Sequence, residues 1–233
     1  HLLLPHNMAA AVALFKAHYV DALIDFSDVP PLDESMVVRF VLLTLPIYYY
    51  FVLWHFPGPW CRFAASCGAE PSYLMGKVGY VLKLVQFVVL FGPGQASFPV
   101  WLADTVGAVV PLASWNSATH AVDFTNVTTY VDVFMLVFGQ ALNSGVYAAL
   151  GTVGVYYGVR FGRTVPWHHG FPYNLGISDP QYWGAVLTIL GLKGLFQLQV
   201  VNVWIMVLSY FFMMWVESRE RTDRYLGGKN RRQ

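Results

Sequence analysis

Long apolar runs, separated by short clusters of Pro, Gly, aromatic and charged residues, set the pattern of this chain. Met36–Phe56, Tyr73–Phe91, Tyr130–Leu150 and Val200–Val216 reach or approach the roughly 20 apolar residues that a helix needs to cross a bilayer. Trp183–Phe196 falls short of that length, and Gln197-Leu198-Gln199 after it reads as a turn at the far surface. Pro46 is expected to kink the first run, and Lys83 in the second must snorkel or face protein. Ahead of these runs, Met8–Phe26 mixes charged and apolar clusters like an amphipathic helix lying on a membrane surface, stopped by Pro30-Pro31. Gly92–Thr129 carries no Lys or Arg and is rich in Pro, Gly, Ser, Thr and Asn. It holds a short apolar stretch, Val100–Val110, and the N-glycosylation pattern Asn126-Val127-Thr128, a weak signal by itself.

Composition agrees with a membrane protein. The chain is 56% hydrophobic and 12% charged, about half the usual charged share of a soluble domain. The fold class that follows is all-α: a polytopic membrane helix bundle of about five transmembrane or re-entrant helices, with an interfacial N-terminal helix. Residues 1–35 form the surface segment, 36–220 the membrane domain with an insertion at about 92–129, and 221–233 a basic tail.

Charge placement chooses the number of crossings. Arg62, Arg160, Arg163 and the tail residues Arg219, Arg221, Arg224, Lys229, Arg231 and Arg232 fall in loops that five passes bring to one face. Those nine of the 14 Lys and Arg then obey the positive-inside rule. A single long pass between Trp183 and Val216 would put the most basic segment on the wrong side. The same choice brings Glu217 and Glu220 to the face that carries the 151–182 loop. Cys61 and Cys67 fall on that face as well and read as free thiols.

The candidate chemistry therefore collects at one membrane surface. Gly151, Gly154, Gly158 and Gly162 permit close approach of backbone, to a ligand or to a neighbouring helix. Arg160 and Arg163 suit a phosphate and equally satisfy the positive-inside rule. Tyr156, Tyr157, Trp167, Phe171, Tyr173, Tyr182 and Trp183 suit an interfacial belt or a cation site. Glu217 and Glu220 share a helical face if the last helix continues. His168 and His169 are adjacent, which is poor geometry for one metal, so no metal is expected. No phosphate loop, nucleophile elbow or zinc-ligand spacing is present, and nothing points to nucleic acid.

Several strings together resemble the small phospholipid N-methyltransferases, the plant-type branch above all. They are FPGPW (Phe56–Trp60), YVLKLVQFVVLF (Tyr80–Phe91), GQALNSGVYAALGTVGVYYGVRFGRTVPW (Gly139–Trp167), GFPYNLGISDPQYWG (Gly170–Gly184) and SYFFMMWVESRE (Ser209–Glu220). The resemblance implies methylation of the amine head group of phosphatidylethanolamine, or its mono- or dimethyl form, towards phosphatidylcholine, with S-adenosylmethionine as donor. It implies donor binding by Gly151, Gly154, Pro180, Tyr182, Glu217 and Glu220; Arg160 and Arg163 are the candidates for the lipid phosphate. Glu217, Glu220 and Asp179 are the candidate catalytic groups. Membrane lipids surround such a protein, in the endoplasmic reticulum or the mitochondrial inner membrane; His1 in place of Met fits a processed or truncated start.

Two departures stand out. Ser178-Asp179 precedes the Pro-x-Tyr turn where many relatives carry His, often after a basic residue. Glu217-Ser218 replaces two adjacent glutamates, a change the plant-type branch shares. An alternative reading is a catalytically silent accessory subunit of a larger membrane complex, met by protein partners through the N-terminal segment and the 92–129 insertion. A third is an isoprenylcysteine-methyltransferase-like enzyme acting on a small or prenylated substrate.

Overall fold

The computed structural model describes residue 13, residues 16–25 and 27, then 34–91, 115–116, 121–122, 127–165, 168–196 and 198–230. Side chains of the last helix are described through Arg219. Among the described residues there are six helices of ten residues or more: α1 (Glu34–His55), α2 (Pro57–Ser66), α3 (Pro71–Leu90), α4 (Val127–Val155), α5 (Pro180–Phe196) and α6 (Val200–Asn230). Two two-residue strands, β1 (Trp115–Asn116) and β2 (Ala121–Val122), pair antiparallel between α3 and α4. Of the helices, α1, α3, α4 and α6 are long and apolar enough to cross a membrane.

Local sequence chemistry explains the boundaries on the loop side. Pro57 and Pro71 stand at the first helical positions of α2 and α3, where the missing N–H is no loss. Glu70 caps α3, its Oε2 accepting the Tyr73 N–H at 2.9 Å. Gly68 follows α2 with φ +63°, the left-handed turn that commonly ends a helix. Pro46 sits buried inside α1, and the helical run continues through it. The last helix outruns its apolar stretch, passing Val216 to Asn230. Glu, Arg and Lys are good helix formers, which suits a helix that continues past its apolar stretch.

One core runs along the bundle axis: Leu43, Ile47 and Leu53 of α1, Met75 of α3, Val186 and Ile189 of α5, and Val203, Met206 and Met213 of α6. Large apolar side chains also face outward, among them Val41 and Tyr48 on α1, Val81 and Leu84 on α3, Phe134 and Val137 on α4, and Leu208 and Phe212 on α6. Apolar residues both inside and outside mark a helix whose solvent is lipid. Two polar side chains of α3 turn to the protein. Gln86 donates to the Leu43 carbonyl, and the Lys83 ammonium lies 5.9 Å from the Tyr50 ring centroid, so Lys83 faces protein.

Glycines bring α4 and α5 close together. A Cβ on Gly139 would lie 2.6 Å from the Gly184 carbonyl, and one on Gly191 2.6 Å from the Asp132 carbonyl. Gln140 Nε2 donates to Thr188 Oγ1 at 2.9 Å across the same seam. This close packing lets α5 run the length of the bundle. Tyr182 at its start touches Glu217 of α6, and Phe196 at its end meets Phe91 just past α3, ring centroids 5.3 Å apart. The connection to α6 is tight, with Leu198 buried in the core and Gln199 accepting from Arg39.

Of the expected N-terminal surface helix, Lys16–Asp21 forms one π turn and Ala22–Ile24 a short α turn. Trp204 Nε1 of α6 donates to the Leu23 carbonyl at 2.6 Å, which fastens this segment to the bundle. Most of Met8–Lys16, Val100–Val110 and Asn126 lie outside the described residues. Both cysteines are free thiols, Cys61 half-buried and Cys67 exposed.

Candidate functional site

The end of the bundle that carries α2 gathers most of the candidate residues. It begins with a break in α4. Gly151 holds φ +64° and ψ 177°, a region essentially closed to any residue with a side chain. The space beyond it is open: a Cβ there would meet no other atom within 4 Å. The next glycines serve differently. A Cβ on Gly154 would lie 2.9 Å from Val165 Cγ1, and one on Gly158 2.5 Å from the Val153 carbonyl. Gly151 therefore turns the chain, while Gly154 and Gly158 let the following loop fold back onto the helix end.

That turn delivers Tyr157 and Arg160 to the middle of the bundle. Tyr157 itself has φ +56°, and its hydroxyl donates to Glu217 Oε1 at 3.1 Å. Tyr182 of α5 donates its hydroxyl to the same oxygen. One carboxylate oxygen on α6 thus joins a loop and two helices. Burial raises the Tyr157 phenol well above its ordinary range, and the Glu217 carboxylate pushes the same way, with Arg160 opposing. The phenol stays a hydrogen-bond donor, which is what an ionised acceptor needs.

Aromatic rings wall this cluster. The Arg160 guanidinium stacks on Trp54 with 3.8 Å from Cζ to the ring centroid, a planar cation on a planar ring. Trp54 also meets Tyr157 edge-on at 5.1 Å, and Tyr50 meets it at 6.4 Å. On the far side of the loop, Tyr147 donates to Tyr156 at 2.6 Å, and the Tyr156 ring fills the place a Cβ of Gly76 would take.

The loop before α5 is held by its own contacts. Phe171 and Pro172 pack where Gly145 of α4 lacks a side chain. Asp179 adopts φ +56°, and its carbonyl accepts the N–H groups of Tyr182 and Trp183, so it sets the first turn of α5. Pro180, buried, takes the next position. Burial, helped by the nearby Asp179 carboxylate, raises the Tyr173 phenol.

The sequence-predicted residues therefore divide. Tyr182 and Glu217 meet directly; Gly151 and Gly154 shape the turn that brings Tyr157 and Arg160 to them; Asp179 and Pro180 place Tyr182. Arg163 goes elsewhere, to Glu70 at 3.5 Å. Glu220 lies one turn beyond Glu217 on α6, and its side chain is outside the described residues, as is Trp167. Trp54, Tyr50 and Glu70 were not singled out as site residues. Trp54 ends an apolar run as a belt aromatic does, and only the stacked Arg160 separates the two roles.

A membrane-embedded helical bundle, with an acid held by two phenols beneath a glycine-broken helix end, is the class of protein that this fold and site define. Comparison with known proteins is specific. The family model for phospholipid methyltransferases matches residues 127–222. A protein of Arabidopsis thaliana, phosphatidyl-N-methylethanolamine N-methyltransferase, is 35% identical over 182 residues, which cover 77% of this chain and 89% of the relative. No solved structure matches. The chain belongs to the phospholipid methyltransferase family.

Proposed function

We propose that this protein methylates the amine head group of phosphatidylethanolamine, or of its mono- and dimethyl forms, with S-adenosylmethionine as donor. The observation that carries the reading is the Glu217 carboxylate held by Tyr157 and Tyr182 at the loop end of a membrane bundle. Family membership and the named relative support it.

The residues present fit such a donor. When bound, S-adenosylmethionine supplies a methyl group on a cationic sulfonium, together with an amino acid and a ribose that need polar contacts. The open backbone at Gly151 admits close approach of a ligand. Glu217 offers a negative charge in a partly dry setting, where a counter-charge counts for more than in water. Two hydroxyl donors on one oxygen orient that carboxylate. Trp54 and Tyr50 pack against Tyr157, one of the phenols that hold it. The acceptor amine must shed a proton before it attacks, and Asp179, Glu217 and Glu220 remain the candidate carboxylates for that step. Holding amine and methyl in near-attack geometry is then the main task of the fold.

The test is transfer of labelled methyl from S-adenosylmethionine into lipid by the purified protein in bilayers. Transfer into at least one of the three amine lipids is expected. No transfer into any of them, from protein shown to be folded, overturns the reading.

A further inference from the structure

A second site-like feature lies apart from the Glu217 cluster. A cleft of about 520 Å³ opens between the start of α3, the end of α4 and the loop that follows it. Glu70 and Arg163 line it, with Leu150, Val153 and Val165 as its apolar wall. The two charged groups are oddly matched. Glu70 spends Oε2 on the α3 cap, while Oε1 is shut from solvent and has no hydrogen-bond partner. Arg163 Nε stands 3.5 Å from that oxygen, near enough to pair in charge but without a hydrogen bond. The side chain of Arg163 is 57% exposed and that of Glu70 21%. A buried carboxylate oxygen that lacks a donor costs free energy, and a donor from a ligand would recover it.

We propose that this cleft takes the zwitterionic head group of an amine-bearing phospholipid, with its ammonium on Glu70 and its phosphate on Arg163. The inference rests on the methyltransferase reading and names the acceptor subsite. A zwitterion carries both charges that the loose pair offers, so it can insert between them without leaving either uncompensated. An anion alone would satisfy Arg163 and leave Glu70 worse placed. The surface beside the cleft suits a lipid rather than a free zwitterion. Tyr73, which lines the cleft, begins a stripe on α3 that continues with Tyr80, Leu84 and Phe87, all exposed. Positions spaced this way share one helical face; the exposed Lys77 stands one turn past Tyr73 at the head-group level, and Tyr80, Leu84 and Phe87 carry an apolar track from there along the membrane helix. The cleft also borders Leu150 and Val153, on either side of the open turn at Gly151. Head group and donor would thus meet at the same break in α4.

The experiment measures equilibrium binding of two fluorescent short-chain lipids, phosphatidyl-N-methylethanolamine and phosphatidylglycerol, to the purified full chain in detergent, without donor. Glu70→Gln keeps an oxygen for the α3 cap while removing the charge. It should weaken the amine lipid about tenfold or more and leave phosphatidylglycerol unchanged. Arg163→Gln should weaken both lipids, and neither change should alter affinity for S-adenosylmethionine. Equal binding of both lipids to all three proteins would overturn the assignment. So would a loss of donor affinity with lipid binding intact, which would give the pair to the amino-acid end of the donor. Because binding is read without turnover, absence of methyl transfer would count against the proposed activity, while the lipid preference still decides the cleft.

Discussion

Glu217 accepts both phenol hydrogen bonds on one oxygen, so its charge is what the neighbouring groups are arranged around. Glu217→Gln should weaken S-adenosylmethionine binding about ten- to a hundredfold, the loss of roughly 1.5–3 kcal/mol for one charged hydrogen-bond partner. Glu220→Gln should weaken it less. Calorimetric titration of both variants checks the order, and unchanged affinity in Glu217→Gln would remove this residue from the site. Asp179 raises a separate question, because its backbone and its carboxylate both matter. Asn tolerates the left-handed conformation that Asp179 adopts, so Asp179→Asn isolates the charge. Methyl transfer should fall several-fold with the unfolding temperature nearly unchanged, whereas Asp179→Ala should also lower stability by about 1–2 kcal/mol. Full activity in Asp179→Asn would exclude the carboxylate from catalysis. At this scale the sequence was partly legible. Tyr182 and Glu217 were named through the family resemblance. The glycine spacing did not reveal which glycine turns the chain and which merely packs, since φ at Gly151 is set by the whole loop it begins. Trp54 was hidden because an aromatic at the end of an apolar run has the same sequence signature whether it faces lipid or a cation.

Among the elements, α5 is the one whose placement carries the site. Its apolar stretch looked marginal for a crossing, yet it runs from Tyr182 at Glu217 to Phe196 at Phe91. The helix itself gains the three residues of the Pro-x-Tyr turn, and its glycine seam packs it closely against α4; an apolar count includes neither. Gly191 lies about 13 Å along α5 from Tyr182, at 1.5 Å per residue. Gly191→Val should nonetheless lower both stability and methyl transfer. Its Cβ would press on the Asp132 backbone and force the helices apart, at a cost of about 1–3 kcal/mol or more. Thermal unfolding and the transfer assay together check this, and wild-type values in both would show that the seam yields freely. The four long helices were readable because a bilayer demands composition and length together. The start of α4 at Val127 was not, since Thr128 and Thr129 look like loop residues but are buried.

For the molecule as a whole, the contacts put α2, the 156–179 loop and the Glu217 end of α6 on one side. Trp54 meets Tyr157, Arg163 meets Glu70, and Tyr157 meets Glu217. The expected outcome of thiol labelling in sealed vesicles is that Cys67 and single cysteines placed at Thr164 and Ser218 react from the same side. Opposite accessibility of loop and helix end would break the bundle as described and separate Glu217 from its phenols. The order of the parts along the chain has a further effect. Trp54, Tyr157, Arg160 and Tyr182 all precede Glu217, so during synthesis the acid that joins them is the last to leave the ribosome. Until α6 is in place, the hydroxyls of Tyr157 and Tyr182 lack the acceptor that ties loop to helix. Completion of the cluster is thereby tied to completion of the chain, and a product cut short before Glu217 would leave the Tyr157 loop and α5 without the carboxylate that joins them.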